Sequence, residues 1–373
     1  MDSAFFCSTP YQLIAAISII KETKEKADLY ILTQFECAEK YARKIKKAKL
    51  FSRVRLIDDN YIKSVFIKDK LINRLHLSMI LSYVFTDRIV AKLLYENTEY
   101  DKIYFSSKAY ILRLVEFCYE KKKSAVEKIY FDDGIGTYST FQTINSLRKR
   151  DYKIKKLLSP GWKPLKCDKV FVYSPEVYKS LNRDSSHQVY QIKNICNTDI
   201  DFVNKIFDAN KGISISESAI LLDTIPAEVF NTDDANKYDR FVQLIIHIIG
   251  NNNVIIKSHP RDISVRNKDC HYYENNSTPF EVVIANTNIK NKILISYFST
   301  AVITPKLLFD QEPYVILLNN LVSSKIKVSD EIVKCFDEIK KLYRDKTKFI
   351  VPNNEAELIE ALKDCKSKLV NNE

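Results

Sequence analysis

Glycine is scarce in this chain: 5 of 373 residues, alongside a single tryptophan and 2 methionines. Phosphate-cradling loops need several glycines at fixed spacing, and neither G-x-x-x-x-G-K-[ST] nor G-x-G-x-x-G occurs. The G-x-S-x-G nucleophile elbow is missing too. These absences weigh against P-loop kinases, dinucleotide-dependent dehydrogenases and α/β-hydrolases. Cysteine is present but dispersed: the 8 cysteines stand singly at Cys7, Cys37, Cys118, Cys167, Cys196, Cys270, Cys335 and Cys365. None forms a C-x-x-C pair or a zinc spacing. No stretch of 18 apolar residues exists, so no membrane span is expected. The longest candidate, 75–85, contains His76 and two serines and ends at Thr86-Asp87. The chain opens Met1-Asp2 without a basic region, which weighs against a signal peptide. A cytoplasmic protein with reduced thiols is the expectation.

What is present is ordinary globular material. Hydrophobic residues make up 46% and charged residues 28%, far from the signature of disorder. Lysine and arginine number 58 against 47 acids, a formal charge of +11. Such a balance suits a solvated lysine surface, an anionic membrane face or a phosphate-bearing substrate. Nucleic acid is not expected, because no zinc finger, RNP-like sequence or GXXG clamp accompanies the charge.

The hydrophobic pattern alternates between short β-rich runs and longer helical periods. Strands are expected at 3–7, 27–32, 54–57, 102–105, 128–131, 169–173 and 188–192, with helices at 11–20, 36–47 and 109–119 between them. The leucine- and isoleucine-rich stretch 64–95 reads as mostly helical. Thr9 can cap the first helix and Pro10 can open it, since proline lacks only an N–H that would be orphaned there. The basic stretch 148–156 and Ser159-Pro160-Gly161-Trp162 read as a surface excursion. A turn-rich segment around 208–212 separates a second series: strands at 219–222, 253–257, 293–295 and 314–318, helices at 237–249 and 300–309. His247 lies in an apolar run and is expected in the core, as is His76; His187 and His271 are expected to be exposed. This order argues α/β with mainly parallel sheets. The expected domains are 1–208, 209–325 and a helical tail, 326–373.

In open α/β sheets ligands bind beyond the carboxyl ends of the strands, and four segments fall there. Cys7-Ser8-Thr9-Pro10-Tyr11-Gln12 leaves the first strand and opens the first helix, where N–H groups suit an anion or polar ligand atoms. Phe131-Asp132-Asp133-Gly134-Ile135-Gly136 holds two of the five glycines beside paired carboxylates. Adjacent like charges are costly to bury unless something uses them, and one could serve as a general base. Lys257-Ser258-His259-Pro260-Arg261 sets an imidazole between two cations, suited to donating a proton or hydrogen bond to a phosphate. Ser296-Tyr297-Phe298-Ser299-Thr300 offers hydroxyls at a helix start, a seat for phosphate. Between the last two, Glu281 stands where it could hold ribose hydroxyls or simply favour a helix dipole. Taken one at a time, the first segment reads more readily as a capped helix start, and turn formation or capping accounts equally well for the second and the fourth. No Asp-x-Asp of the metal-dependent kind stands near a strand end, so no metal and no cofactor are expected.

Taken together, Asp132-Asp133-Gly134, His259-Pro260 and Ser299-Thr300 resemble the D/E-D/E-G, HP and S-S/T motifs of bacterial sialyltransferases. The contexts 7–12 and 131–138 look most like glycosyltransferase family 52, which includes lipooligosaccharide and capsule sialyltransferases, and bacterial polysialyltransferases share the short motifs. The resemblance spans roughly 3–320. It implies a GT-B fold, two Rossmann-like domains facing across a deep cleft, and an inverting, metal-independent transferase. The implied reaction moves sialic acid from CMP-sialic acid to a galactose hydroxyl of a surface glycan. On this resemblance a carboxylate of Asp132 or Asp133 is the base, with Asp132 preferred and Asp223 a rival. His259 would assist the departing phosphate, Ser299 and Thr300 would bind it, and Glu281 would hold the ribose. Lys257 and Arg261 join the donor side on charge alone, and Thr9, Pro10, Gln12 and Gly134 belong to the strand-end loops. A lipid-linked glycan acceptor, peripheral contact with the anionic inner membrane and a homodimer are compatible with this reading. The alternatives are a relative using another nucleotide sugar such as UDP-glucose, and a non-enzymatic basic protein that binds membranes or polyanions.

Overall fold

The computed structural model describes residues 2–58, 77–95, 99–106, 109–122, 125–139, 149–209, 213–259, 270–275, 278–325 and 330–370. It divides into two units, Met1–Lys193 and Asn194–Glu373. The division falls before the turn-rich segment at 208. The reason is the helix Asn197–Phe207, expected in the first domain, whose Asn204 exchanges amide hydrogen bonds with Asn286 at 2.7 and 2.8 Å. Just before it, the Ile195 N–H donates to the Leu308 carbonyl at 2.8 Å.

In chain order the first unit runs β1 (Asp2–Cys7), α1 (Pro10–Thr23), β2 (Lys26–Leu32), α2 (Ala38–Ala48), β3 (Arg53–Ile57), α3 (Leu77–Val84) and α4 (Thr86–Leu93). It continues β4 (Lys102–Phe105), α5 (Tyr110–Lys122), β5 (Glu127–Phe131), α6 (Ile135–Ser139), α7 (Lys149–Leu158), β6 (Cys167–Val172), α8 (Pro175–Leu181) and β7 (Gln188–Gln191). The 7 strands form one sheet in the order β3-β2-β1-β4-β5-β6-β7. Every pairing is parallel. Strands covered on both faces read as unbroken apolar runs, which is why Ala4, Phe5, Phe6 and Cys7 are all buried. Phe5 stacks on Tyr104 of the neighbouring strand at 4.1 Å.

The second unit runs α9 (Asn197–Phe207), β8 (Ala219–Leu222), α10 (Pro226–Val229), α11 (Thr232–Ile249), β9 (Val254–Lys257), β10 (His271–Tyr272) and α12 (Phe280–Ala285). It ends β11 (Ile293–Ser296), α13 (Thr304–Phe309), β12 (Tyr314–Leu317), α14 (Asp330–Leu342), β13 (Phe349–Ile350) and α15 (Glu355–Val370). Its 6 strands are again parallel, in the order β10-β9-β8-β11-β12-β13. The tail expected to be wholly helical thus adds an edge strand, and its last helix closes a core with Leu358, Leu362 and Cys365 against Ile245 and Ile316.

Both sheets reverse their winding at one point, between β1 and β4 in the first and between β8 and β11 in the second. The carboxyl ends of these strands open the crevices where ligands of such sheets bind.

Several local expectations change. The basic stretch taken for a surface excursion is the helix α7, and its Lys155 is fully buried. Lys155 Nζ meets Glu120 at 3.0 Å, and the Trp162 indole N–H donates to the same carboxylate at 2.6 Å. The helix at 300–309 opens as a 3-10 turn, Thr300–Ile303, before α13. His247 is exposed, because Ile245, Ile246 and Ile249 turn inward and the 100° step carries the imidazole out. His271 is exposed and His187 half-buried. His76, Pro260, Arg261 and the stretch 64–76 lie outside the described residues.

Candidate active site

The first unit brings two of the sequence segments together. The N–H of Gln12 donates to the Thr9 hydroxyl at 3.2 Å, so Thr9 is the cap and Pro10 the first helical residue. Gln12 itself is buried. Its Oε1 accepts from the Ser8 N–H at 2.6 Å and from the Ser8 hydroxyl at 3.0 Å, clamping the β1–α1 loop. From the same helix the Tyr11 hydroxyl donates to Asp132 Oδ1 at 3.2 Å, tying that loop to the end of β5.

Asp132 is 0% exposed. Besides Tyr11, its Oδ1 accepts from the Gly134 N–H at 2.8 Å. Its Oδ2 accepts from the Tyr138 hydroxyl at 2.5 Å and from the Tyr173 N–H at 3.1 Å. Four donors therefore converge on one carboxylate from the first turn of α1, the turn after β5, α6 and the β6–α8 loop. Gly134 has φ 99°, a left-handed conformation that suits glycine, and this lets its N–H turn back onto Asp132. Burial pushes the Asp132 carboxyl up to about 6, and the four hydrogen bonds hold it from rising further.

Asp133 differs from its neighbour. It is half-buried, and its Oδ1 accepts from the Thr137 hydroxyl at 2.8 Å. Burial pushes this carboxyl up to about 7; Thr137 opposes the rise and the adjacent Asp132 adds to it. Asp132, the carboxylate preferred from sequence, is thus enclosed, and Asp133 is the one with surface.

In the second unit the expected residues gather at the carboxyl edge of β9, β8 and β11. Lys257 ends β9 and is only 6% exposed, with Nζ 5.5 Å from the centre of the Tyr273 ring. Burial lowers its pKa, and the Glu281 charge raises it. Glu281, in the first turn of α12, responds in kind: burial raises its pKa and Lys257 opposes the rise. Neither side chain hydrogen-bonds another described side chain. His259 follows two residues after the strand and is half-buried. Ser299 caps the 3-10 turn through a hydrogen bond from the Ala301 N–H at 3.2 Å, and Thr300 is exposed. Ser296 stitches the switch point, its hydroxyl donating to the Leu222 carbonyl at 3.0 Å and accepting from the Ser299 N–H at 3.2 Å. Asp223, the rival base, accepts from the Tyr238 hydroxyl at 2.9 Å and the Thr224 N–H at 2.8 Å.

Sequence reasoning missed Tyr11, Thr137, Tyr138 and Tyr173. The only pointer was position: Tyr11, Thr137 and Tyr138 lie inside or directly after the strand-end segments, and Tyr173 ends the run expected as a strand at 169–173. Among the described residues no three His, Cys, Asp or Glu side chains gather as a metal would require. A cavity of ≈ 920 Å³ opens at the other edge of the first sheet, lined by Tyr95, Glu99, Tyr119 and Lys122 among others. It holds none of the expected site residues, and the switch-point geometry is the better guide to chemistry.

No curated protein matches the chain. Among solved structures it is similar to a UDP-GlcNAc 2-epimerase from Methanocaldococcus jannaschii, at 13% identity and TM-score 0.51, covering 100% of this chain and 99% of that one. Weaker likenesses include Phytolacca americana UGT2, 8% identical with TM-score 0.46, covering 100% and 94%. A UDP-glucosyltransferase from Polygonum tinctorium is 10% identical with TM-score 0.46, covering 99% and 92%. Identities this low show the fold alone, and that fold is of the GT-B type: two α/β units, each with its own parallel sheet. A family model described as alpha-2,8-polysialyltransferase matches residues 3–318. The chain, a glycosyltransferase of the sialyltransferase kind, belongs to the alpha-2,8-polysialyltransferase family.

Proposed function

We infer that the protein is an inverting sialyltransferase whose donor is CMP-sialic acid, with Asp133 as the base that activates the acceptor hydroxyl. The carrying observation is the contrast within the acidic pair. Asp132 has both oxygens taken by four donors and no surface, whereas Asp133 is half-buried and has a carboxyl pushed up to about 7. A base poised near the working pH transfers protons best. This moves the preference from Asp132 to Asp133 and makes Asp132 a positioning residue.

Asp133 takes the proton of the acceptor hydroxyl while that oxygen attacks the anomeric carbon of sialic acid. The bond from that carbon to the phosphate oxygen of CMP breaks, and its electrons stay on the phosphate. His259 donates a proton or hydrogen bond to that oxygen; Ser299, Thr300 and Lys257 stabilise its charge. Glu281 holds the ribose of the donor. Lys257 suits its part because a buried ammonium with no hydrogen-bonding side chain among the described residues binds an incoming anion strongly.

The family description favours an acceptor that itself ends in sialic acid, linked through its 8-hydroxyl. The resemblance to glycosyltransferase family 52 points instead to a galactose hydroxyl of a capsule or lipooligosaccharide glycan. Incubation with CMP-sialic acid and either a sialyl- or a galactosyl-terminated oligosaccharide, read by mass spectrometry, separates the two. CMP release with extension of the sialylated acceptor is expected. Turnover of UDP-sugars with none of CMP-sialic acid would remove the donor assignment.

A further inference from the structure

Among the described residues, large apolar side chains are exposed at nine positions, and seven of them fall in two short segments. Ile80, Leu81, Val84 and Phe85 lie along α3 and at its end. Tyr152, Leu157 and Leu158 lie on α7, where Leu157 is 81% exposed. The two helices pack against each other. They do so through their other faces, where Lys155 Nζ stands 5.8 Å from the Tyr83 ring.

The exposed charges of the two segments are mostly of one sign. Arg88, Lys92, Lys153, Lys156, Lys163 and Lys166 are all exposed. The only acids in 77–94 and 151–166 are Asp87 and Asp151. Asp87 is paired with Lys121 at 2.6 Å, and Asp151 is buried against Arg113 at 2.9 Å.

We propose that the α3–α7 face docks on an anionic lipid bilayer, with Leu157, Val84 and Phe85 entering the acyl boundary and the lysines lying against the headgroups. A polyanionic glycan would use the cations but gains nothing from a leucine standing in water. A bilayer uses both, and helices with an apolar face and a lysine-rich rim lie in such interfaces. No described helix is long and apolar enough to cross the membrane, so the contact is peripheral. The inner face of a cell membrane supplies such a surface. Docking there would hold the transferase beside lipid-linked acceptors. The inference does not depend on the donor or on which carboxylate is the base.

The test is flotation of the full chain with vesicles of phosphatidylcholine alone, or with 30 mol% phosphatidylglycerol, at about 0.1 and 0.5 M salt. The protein should float with the anionic vesicles at low salt and stay behind with the neutral ones. Leu157→Ser with Phe85→Ser should weaken binding at least about tenfold. Lys153→Glu with Lys156→Glu should weaken it about fivefold or more for each lysine. Both variants should keep the wild-type circular dichroism spectrum and transfer to a soluble acceptor within about twofold. Wild-type protein that ignores anionic vesicles overturns the proposal, and so do variants that bind as well as wild type. Dimers that dissociate on Leu157→Ser, without any vesicle binding, would assign the face to a second copy of the chain instead.

Discussion

The two strand edges that carry the expected chemistry are built in opposite ways. In the first unit the acidic turn is locked: Asp132 receives Tyr11, Gly134, Tyr138 and Tyr173, four donors from two helices and two loops. In the second unit Lys257 and Glu281 feel each other only through charge, and Thr300 stands in solvent. A base must be aimed before the acceptor arrives, and a network of short hydrogen bonds aims it without reorganisation. Groups that receive a nucleotide do better with hydrogen-bonding capacity still unspent. On the roles proposed above, the contrast would separate a preorganised acceptor side from a donor side that completes itself on the ligand.

The sharpest way to break the contrast is to exchange the acidic roles. Asp133→Asn should lower kcat by about 10²–10⁴, the usual worth of a general base, with the fold intact. Asp132→Asn should cost less, about 10- to 100-fold, because it only loosens the aim. It should also lower the melting temperature, since an amide NH₂ would face donors where Oδ2 now accepts. Wild-type activity should climb about tenfold per pH unit up to about pH 7 and then level, following the Asp133 carboxyl. Steady-state kinetics showing the larger loss in Asp132→Asn, with its melting temperature unchanged, would return the base to Asp132.

The donor side is probed by Lys257→Met, which keeps the length and apolar stem of the side chain. Losing one charge-assisted contact to phosphate should raise the donor KM by about 10- to 100-fold and lower kcat less. Calorimetric titration of CMP should weaken by the same factor. If KM is unchanged, the buried ammonium serves Glu281 and Tyr273 alone, and the donor side is as self-contained as the acceptor side.

Much of this arrangement was legible in the residues, for a physical reason. The inner strands of both sheets are buried on two faces and so appear as plain apolar runs such as Ala219–Leu222 and Ile293–Ser296. The strand-end segments followed once those runs were located. Other features were hidden. Phe349–Ile350 is a strand of 2 residues amid lysine-rich helices, too short for any periodicity. α11 begins at Thr232, capped by Asn231, but its first turn, Thr-Asp-Asp, looks like polar loop. Lys155 looked solvated within a basic run, and only the Glu120 carboxylate reaching it from α5 explains its burial. The tyrosine anchors were least legible: 22 tyrosines are spread over the chain, and nothing local tells which phenol meets a carboxylate 121 residues away, as Tyr11 does.

The smallest effect, and the most specific, belongs to Tyr138→Phe. The phenol donates to Asp132 Oδ2 at 2.5 Å and accepts from the Ser174 N–H at 3.2 Å. Removing it leaves a buried N–H without that acceptor and takes one donor from Asp132, at a cost of about 1–3 kcal/mol. That should lower the melting temperature by roughly 2–4 °C per kcal/mol. The loss should depend on pH. A carboxyl whose folded pKa lies above its unfolded value of about 3.9 adds stability fully below that value and loses it as pH rises through the folded pKa. For Asp132 that window runs from about 4 to about 6. Above it the ionised carboxylate leans on its donors most, so Tyr138→Phe should destabilise more at pH 8 than at pH 5. Thermal melts that show the same difference at both pH values would mean that Tyr138 only packs against the loop. The acidic turn would then be held by the backbone donors of Gly134 and Tyr173, and the acceptor side would owe its rigidity to chain geometry rather than to phenols.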